Sequence, residues 1–229
     1  MGNAEGNVTV TGVRAKASIR ATSTVTAELA IAIRTHLWAQ WAEIAFEQAA
    51  LARAGRAQIE EQMAAGAAGY EMPLELRSAM ISIAAVTHAI EGFVNDALDG
   101  CPDYPVPTFA PDTAQYAKVF ETLRAGFEIE QHAAWCPVLT KVYQRLRNPA
   151  LHHQPKSGPT VPHPYFPTNV SPEYAAYTVE SANEAINLLA DVLTTCVENP
   201  RKQLKSVVAW TAGVAALATG IASQARSSS

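Results

Sequence analysis

The chain has 229 residues, 48% of them apolar and 17% charged, and a formal charge of −4. That balance excludes a disordered chain, which is poor in apolar residues and rich in charge, and it offers no overall basic field for a polyanion. Three scattered cysteines, Cys101, Cys136 and Cys196, make no Cys-x-x-Cys pair, so neither a zinc ribbon nor a dithiol redox motif is expected.

The length suits one well-cored domain with additional helices, and the abundance of alanine favours helix throughout. Residues 1–23 are rich in Gly, Thr, Ser and Val and are expected to form a flexible N-terminal arm, although Val8, Val10 and Val13 are compatible with a short strand. The first 25 residues lack a long apolar core, so no secretory signal is expected and the compartment is read as cytoplasm. From Thr24 the pattern is read as helical. Leu37, Trp41, Ile44 and Leu51 recur at the spacing of one helix face, and the helix is expected to end near Ala64, before Gly66 and Gly69.

A second helix is expected from Pro73 to the Asp99-Gly100 stop, with Ile83, Val86, Ile90, Phe93 and Ala97 as its apolar stripe. His88, Glu91 and Asn95 fall on a different stripe of the same helix. Four prolines between Cys101 and Pro111 require a loop. Asp112 is placed to cap a third helix running to about Phe127, and Pro137 to start a fourth with Val138, Val142 and Leu146 on one side. Six prolines from Pro155 to Pro172 mark a long surface loop. Ser171-Pro172-Glu173 then opens a helix whose seam is Ala182, Ala185, Leu189, Val192 and Cys196, ended by Asn199-Pro200.

The last helix is weighed separately. Ser206 to Ser223 holds no charged residue, and Lys205 and Arg226 flank it. Its length approaches a membrane span, while Gly213 and Gly220 would let another helix approach closely. Burial against a partner helix and membrane association both stay open. The expected organisation is an all-α, up-and-down helical bundle: an arm at 1–23, a long N-terminal helix at 24–70, a helical core at 71–199, and an apolar C-terminal helix with a tail at 200–229.

The charge distribution is more informative than its sum. From Gln131 to Pro172 there is no Asp or Glu, whereas Lys141, Arg145, Arg147 and Lys156 lie there with four of the six histidines. An acid-free basic island on an acidic protein can attract an anion. Within it stands Arg147-Asn148-Pro149-Ala150-Leu151-His152-His153. On an unbroken helix Arg147 and His152 would point about 140° apart. Pro149 breaks that geometry by removing a hydrogen bond, clashing with the preceding turn and disfavouring α geometry at Asn148. Either a kink or a new turn capped by Asn148 redirects His152 relative to Arg147.

This run resembles the Arg-x(4–6)-His signature of HEPN domains, helical bundles many of which are metal-independent ribonucleases. The Arg-Asn start and the His152-His153 pair are similar to the KEN ribonuclease branch of that group. Ala89-Ile90-Glu91-Gly92-Phe93-Val94-Asn95 is similar to the first core helix of many such proteins. The resemblance spans about residues 73–199 and, outside the Arg–His run, is architectural. It implies that His152 serves as general base or acid, with His153 as a second candidate, since histidine titrates near neutrality. Arg147 would hold the scissile phosphate with its planar fork, and Asn148 would orient Arg147 or the phosphate. Lys141, Arg145 and Lys156 would bind substrate, and His88, Glu91 and Asn95 would support the site. Arg145 could replace Arg147 at the longer spacing. The resemblance further implies an RNA substrate cut to 2′,3′-cyclic phosphate and 5′-hydroxyl ends with no metal or cofactor, a homodimer, and a setting in toxin or phage defence with an antitoxin or regulatory partner. Position 154 is Gln, so the Arg-x(4)-His-x-Tyr form of toxins silenced by a nucleotidyltransferase is absent.

Elsewhere, Tyr165 and Phe166 either stack on a base or pin the proline loop to the body. His132, Cys136 and His163 fit no standard zinc spacing. No Gly-rich phosphate loop or Gly-x-Ser-x-Gly elbow is present.

Overall fold

A computed structural model describes residues 13–21, 27–66, 73–129, 133–148 and 159–228. The first described elements are strands. β1 (Val13–Ala21) pairs antiparallel with β2 (Ala27–Thr35), in a register running from Val13↔Thr35 to Ala21↔Ala27. This overturns the flexible arm over residues 13–21 and a helix starting at Thr24. The reason is visible in the pattern: Leu29, Ile31 and Ile33 recur at every second position, which is the period of a strand and not of a helix. Val8 and Val10 lie outside the described residues.

Beyond these strands the described residues are mainly helical, with seven α-helices. α1 (Leu37–Ala64) and α2 (Pro73–Gly100) pack against each other antiparallel. The apolar face expected of α1 is not the buried one: Leu37, Trp41 and Leu51 are exposed. The seam is instead Trp38, Ala42, Ala45, Phe46, Ala49 and Ala52. Small residues win this face because they bring the two backbones close, so that the Ser82 hydroxyl reaches the Ala45 carbonyl at 2.9 Å. A Cβ on Gly55 would lie 2.7 Å from the Glu75 amide nitrogen, a space only glycine leaves open. On α2 the expected stripe Ile83, Val86, Ile90, Phe93 and Ala97 is fully buried.

α3 (Gln115–Gly126) begins after Ala114, not at a cap on Asp112. Pro111 and Asp112 are taken by a turn closed from the Thr113 N–H to the Ala110 carbonyl. α4 (Cys136–Lys141) has Pro137 in its first turn and runs on into a π-helical turn, Val142–Arg147. The proline loop carries a minimal ribbon, β3 (Val161–Pro162) against β4 (Asn169–Val170).

The helix expected from Ser171 onward is split. α5 (Pro172–Ala176) stops at Tyr177, whose hydroxyl donates to the Leu146 carbonyl at 2.8 Å. α6 (Val179–Glu198) restarts on a capping box formed by Thr178 and Ser181. Its expected seam, Ala182, Ala185, Leu189, Val192 and Cys196, is fully buried. α7 (Lys205–Ser228) lays Val207, Trp210, Val214, Ala218 and Ala222 into the same core that receives α1, α2 and α6. The N- and C-terminal helices therefore share one core with the middle of the chain. Among the described residues α7 is also the one helix long and apolar enough to cross a membrane, by length and composition.

Candidate functional site

The basic island is built around the π-helical turn. Asn148 donates its N–H to the Tyr143 carbonyl, five residues back. A proline at 149 has no N–H to offer the Arg145 carbonyl, so the turn before it widens. Contrary to the preference before proline, Asn148 keeps right-handed helical angles, φ −62° and ψ −46°. It is thus helical itself and not the extended cap of a new turn. The Leu146 carbonyl accepts from the Tyr177 hydroxyl, which ties the turn to the start of α6.

This turn directs Arg147 onto α2. Its Nη2 lies 3.6 Å from Glu91 Oε1, both side chains being about four-fifths buried (16% and 20% exposed). Arg147 Nη1 donates to Asn148 Oδ1 at 3.2 Å, and its guanidinium lies 5.9 Å from the Tyr143 ring centre. Among the described residues Arg147 Nε is buried without a hydrogen-bond partner. Tyr143 is buried under the turn, with its hydroxyl 3.3 Å from the Thr87 carbonyl. Burial, with the Glu91 carboxylate beside it, pushes the Tyr143 phenol well up, so it stays protonated.

The remaining candidates divide. Glu91 joins Arg147 and Asn148, while His88, one turn earlier on α2, packs its ring against Trp41 at 4.8 Å between centres. Asn95 is exposed one turn beyond Glu91. Lys141 and Arg145 point elsewhere. They line a cleft of about 710 Å3 with Glu180 and Glu184 of α6, and Lys141 Nζ is ion-paired with Glu184 at 2.6 Å. The acid-free segment thus receives its carboxylates from other helices. His152, His153 and Lys156, with His132, lie outside the described residues.

His163, Tyr165 and Phe166 take the pinning role. His163 Nδ1 accepts from the Tyr165 and Phe166 N–H groups, each at 3.1 Å. Phe166 is buried beside Ile59. Tyr165 lies on the Arg56 guanidinium, 4.1 Å from ring centre to carbon. Burial lowers the His163 pKa, in keeping with an acceptor nitrogen.

Two contributors to the site were not singled out from the sequence. Tyr143 precedes Arg147 by four residues, a spacing that puts both on one helix side. Tyr177 reaches Leu146 from another element, and no local signal marks it. Comparison of the chain with models of known families, with curated proteins and with solved structures finds no match.

Proposed function

We propose that the protein is a metal-independent endoribonuclease of HEPN type. The observation that carries this reading is Arg147: mostly buried, paired with Glu91 without a hydrogen bond, oriented by Asn148, and five and six positions before His152 and His153 in the chain. A guanidinium held by charge at 3.6 Å keeps its N–H donors for a phosphate. In the proposed reaction His152, or His153, takes the proton from a ribose 2′-hydroxyl. The 2′-oxygen attacks phosphorus, the bond to the 5′-oxygen breaks, and that oxygen leaves with a proton. Arg147 offsets the charge that builds on the phosphate oxygens. A homodimer, and an antitoxin or regulatory protein acting in toxin or phage-defence biology, belong to the same proposal.

The test is RNA cleavage by purified protein in excess chelator, comparing wild type with His152→Ala and Arg147→Ala. The expected result is cleavage by wild type, with cyclic phosphate ends, and loss of at least about 100-fold in each variant, the usual scale for a general base. Undiminished cleavage by a His152→Ala, His153→Ala double variant would remove the mechanism.

A second reading, a non-catalytic helical module that binds RNA or protein, is favoured by one observation. Two cations of the island, Lys141 and Arg147, already have carboxylate partners. Its signature is salt-sensitive RNA binding without cleavage.

A further inference from the structure

Trp41 stands apart from the other tryptophans. Trp38, Trp135 and Trp210 are buried, at 0%, 4% and 8% exposure, whereas Trp41 is 39% exposed. One exposed aromatic needs no explanation. What distinguishes this one is its neighbours. Its ring rests on His88 at 4.8 Å, tilted by 37°. His88 and Glu91 are three residues apart on α2, so their Cβ atoms are about 5–6 Å apart on one side of the helix, and Glu91 holds Arg147. An exposed indole supported by an imidazole therefore lies one turn of α2 away from the carboxylate that holds Arg147.

We infer that Trp41, supported by His88, is a base-stacking subsite one turn of α2 from the Glu91 that holds the phosphate-binding Arg147, and that the RNA engaged there is single-stranded. The inference rests on the ribonuclease reading above and names its substrate class. An aromatic platform and an arginine on the same side of α2 match the two parts of a nucleotide strand. The base, whatever its identity, offers a π surface, and the phosphate offers oxygens for a planar fork. A base inside a duplex is already stacked on both sides and cannot lie on Trp41, so the subsite selects strands, loops or ends. The polar residues along the same stripe of α2, His88, Glu91 and the exposed Asn95, suit a base edge better than an apolar protein surface.

The test separates this subsite from catalysis. His152→Ala protein is titrated with a single-stranded RNA oligonucleotide and with the same RNA annealed to its complement. Because the other three tryptophans are buried, quenching of the exposed fraction of the emission reports Trp41. Single strands are expected to quench it and duplex is not. In labelled-RNA anisotropy, Trp41→Leu is expected to weaken single-strand binding about tenfold or more, and Trp41→Phe, which keeps an aromatic face, by no more than about threefold. Circular dichroism checks that both variants are folded. If Trp41→Leu binds and cleaves single strands as the wild type does, the subsite is wrong and the ribonuclease stands. If quenching and the loss of binding occur but no variant or wild-type protein cleaves, the subsite stands and the catalytic reading falls. If RNA does not quench Trp41 and sedimentation shows that Trp41→Leu dissociates an oligomer, the patch is an interface between copies and the inference is overturned.

Discussion

Arg147 meets Glu91 across 3.6 Å, too far for a hydrogen bond and close enough for charge. A mostly buried pair at this distance recovers little more than its own desolvation cost, so its use is to aim the guanidinium. Glu91→Gln is accordingly expected to lower kcat for RNA cleavage about tenfold, the scale of a misplaced positioning group, whatever its effect on the thermal midpoint. A lowered midpoint with kcat intact would make Glu91 a packing residue. The Arg147 position was legible in the sequence from the proline two residues later and the absence of local acids. Its partner was legible only in part. Glu91 appeared on a polar stripe of α2, but which cation it meets depends on how α2 and the π-helical turn pack. The same holds for Lys141, whose carboxylate comes from Glu184, 43 residues away.

At the scale of elements, the proline loop and α7 make separate predictions. The loop is closed by His163, whose Nδ1 can accept two N–H groups only when unprotonated. Burial lowers its pKa below the ordinary 6.5, so the folded loop binds fewer protons than the unfolded one. The stabilisation is therefore complete above about pH 6.5 and is lost as pH falls below it. Hydrogen exchange at the Tyr165 and Phe166 amides is expected to quicken, beyond its intrinsic pH dependence, as pH drops from 7 to 5. Equal protection across that range would show that His163 does not hold the loop. For α7, the Trp210 ring meets Phe93 at 5.2 Å, so Trp210→Ala is expected to cost about 3–5 kcal/mol in denaturant unfolding. A cost below about 1 kcal/mol would mean that this face of α7 is not part of the core. Sequence periodicity found α2 and α6 because their seams use large residues. It missed the α1 seam because alanine carries little signal, and it missed β1 and β2 because a period of two was read as helix.

Across the whole molecule, one buried cluster joins the parts. Arg56 of α1 donates from Nε to Glu75 of α2 at 3.0 and 3.1 Å and from Nη1 to Glu180 of α6 at 3.0 Å, while Tyr165 and Phe166 of the loop lie on its guanidinium. Glu75 also accepts the Val179 N–H at 3.1 Å, at the start of α6. Removing Arg56 would strand the Glu75 carboxylate, whose side chain is 3% exposed. Arg56→Ala is expected to cost about 3–5 kcal/mol in chemical unfolding, and adding Glu75→Gln should recover part of that loss. Full additivity of the two substitutions would rule out the coupling. Burial tends to raise the Glu180 pKa, but the hydrogen bond and charge of Arg56, with the bonds from its own backbone N–H and from Thr178, together outweigh it and hold the carboxyl at about 2, below its ordinary 4.5. The contribution of Glu180 is thus present above about pH 4.5 and lost as pH falls toward 2, and Glu180→Gln should remove that part of the acid transition. The sequence by itself determined the helical class, the span of α2, the seams of α2 and α6, and an acid-free basic segment, because periodicity, proline and charge act locally along the chain. Only the tertiary structure decided which face of α1 is buried, where the long helix splits, and which carboxylates meet Arg56, Lys141 and Arg147. Those outcomes depend on contacts between residues far apart in sequence, where close packing and paired charge outweigh local preference.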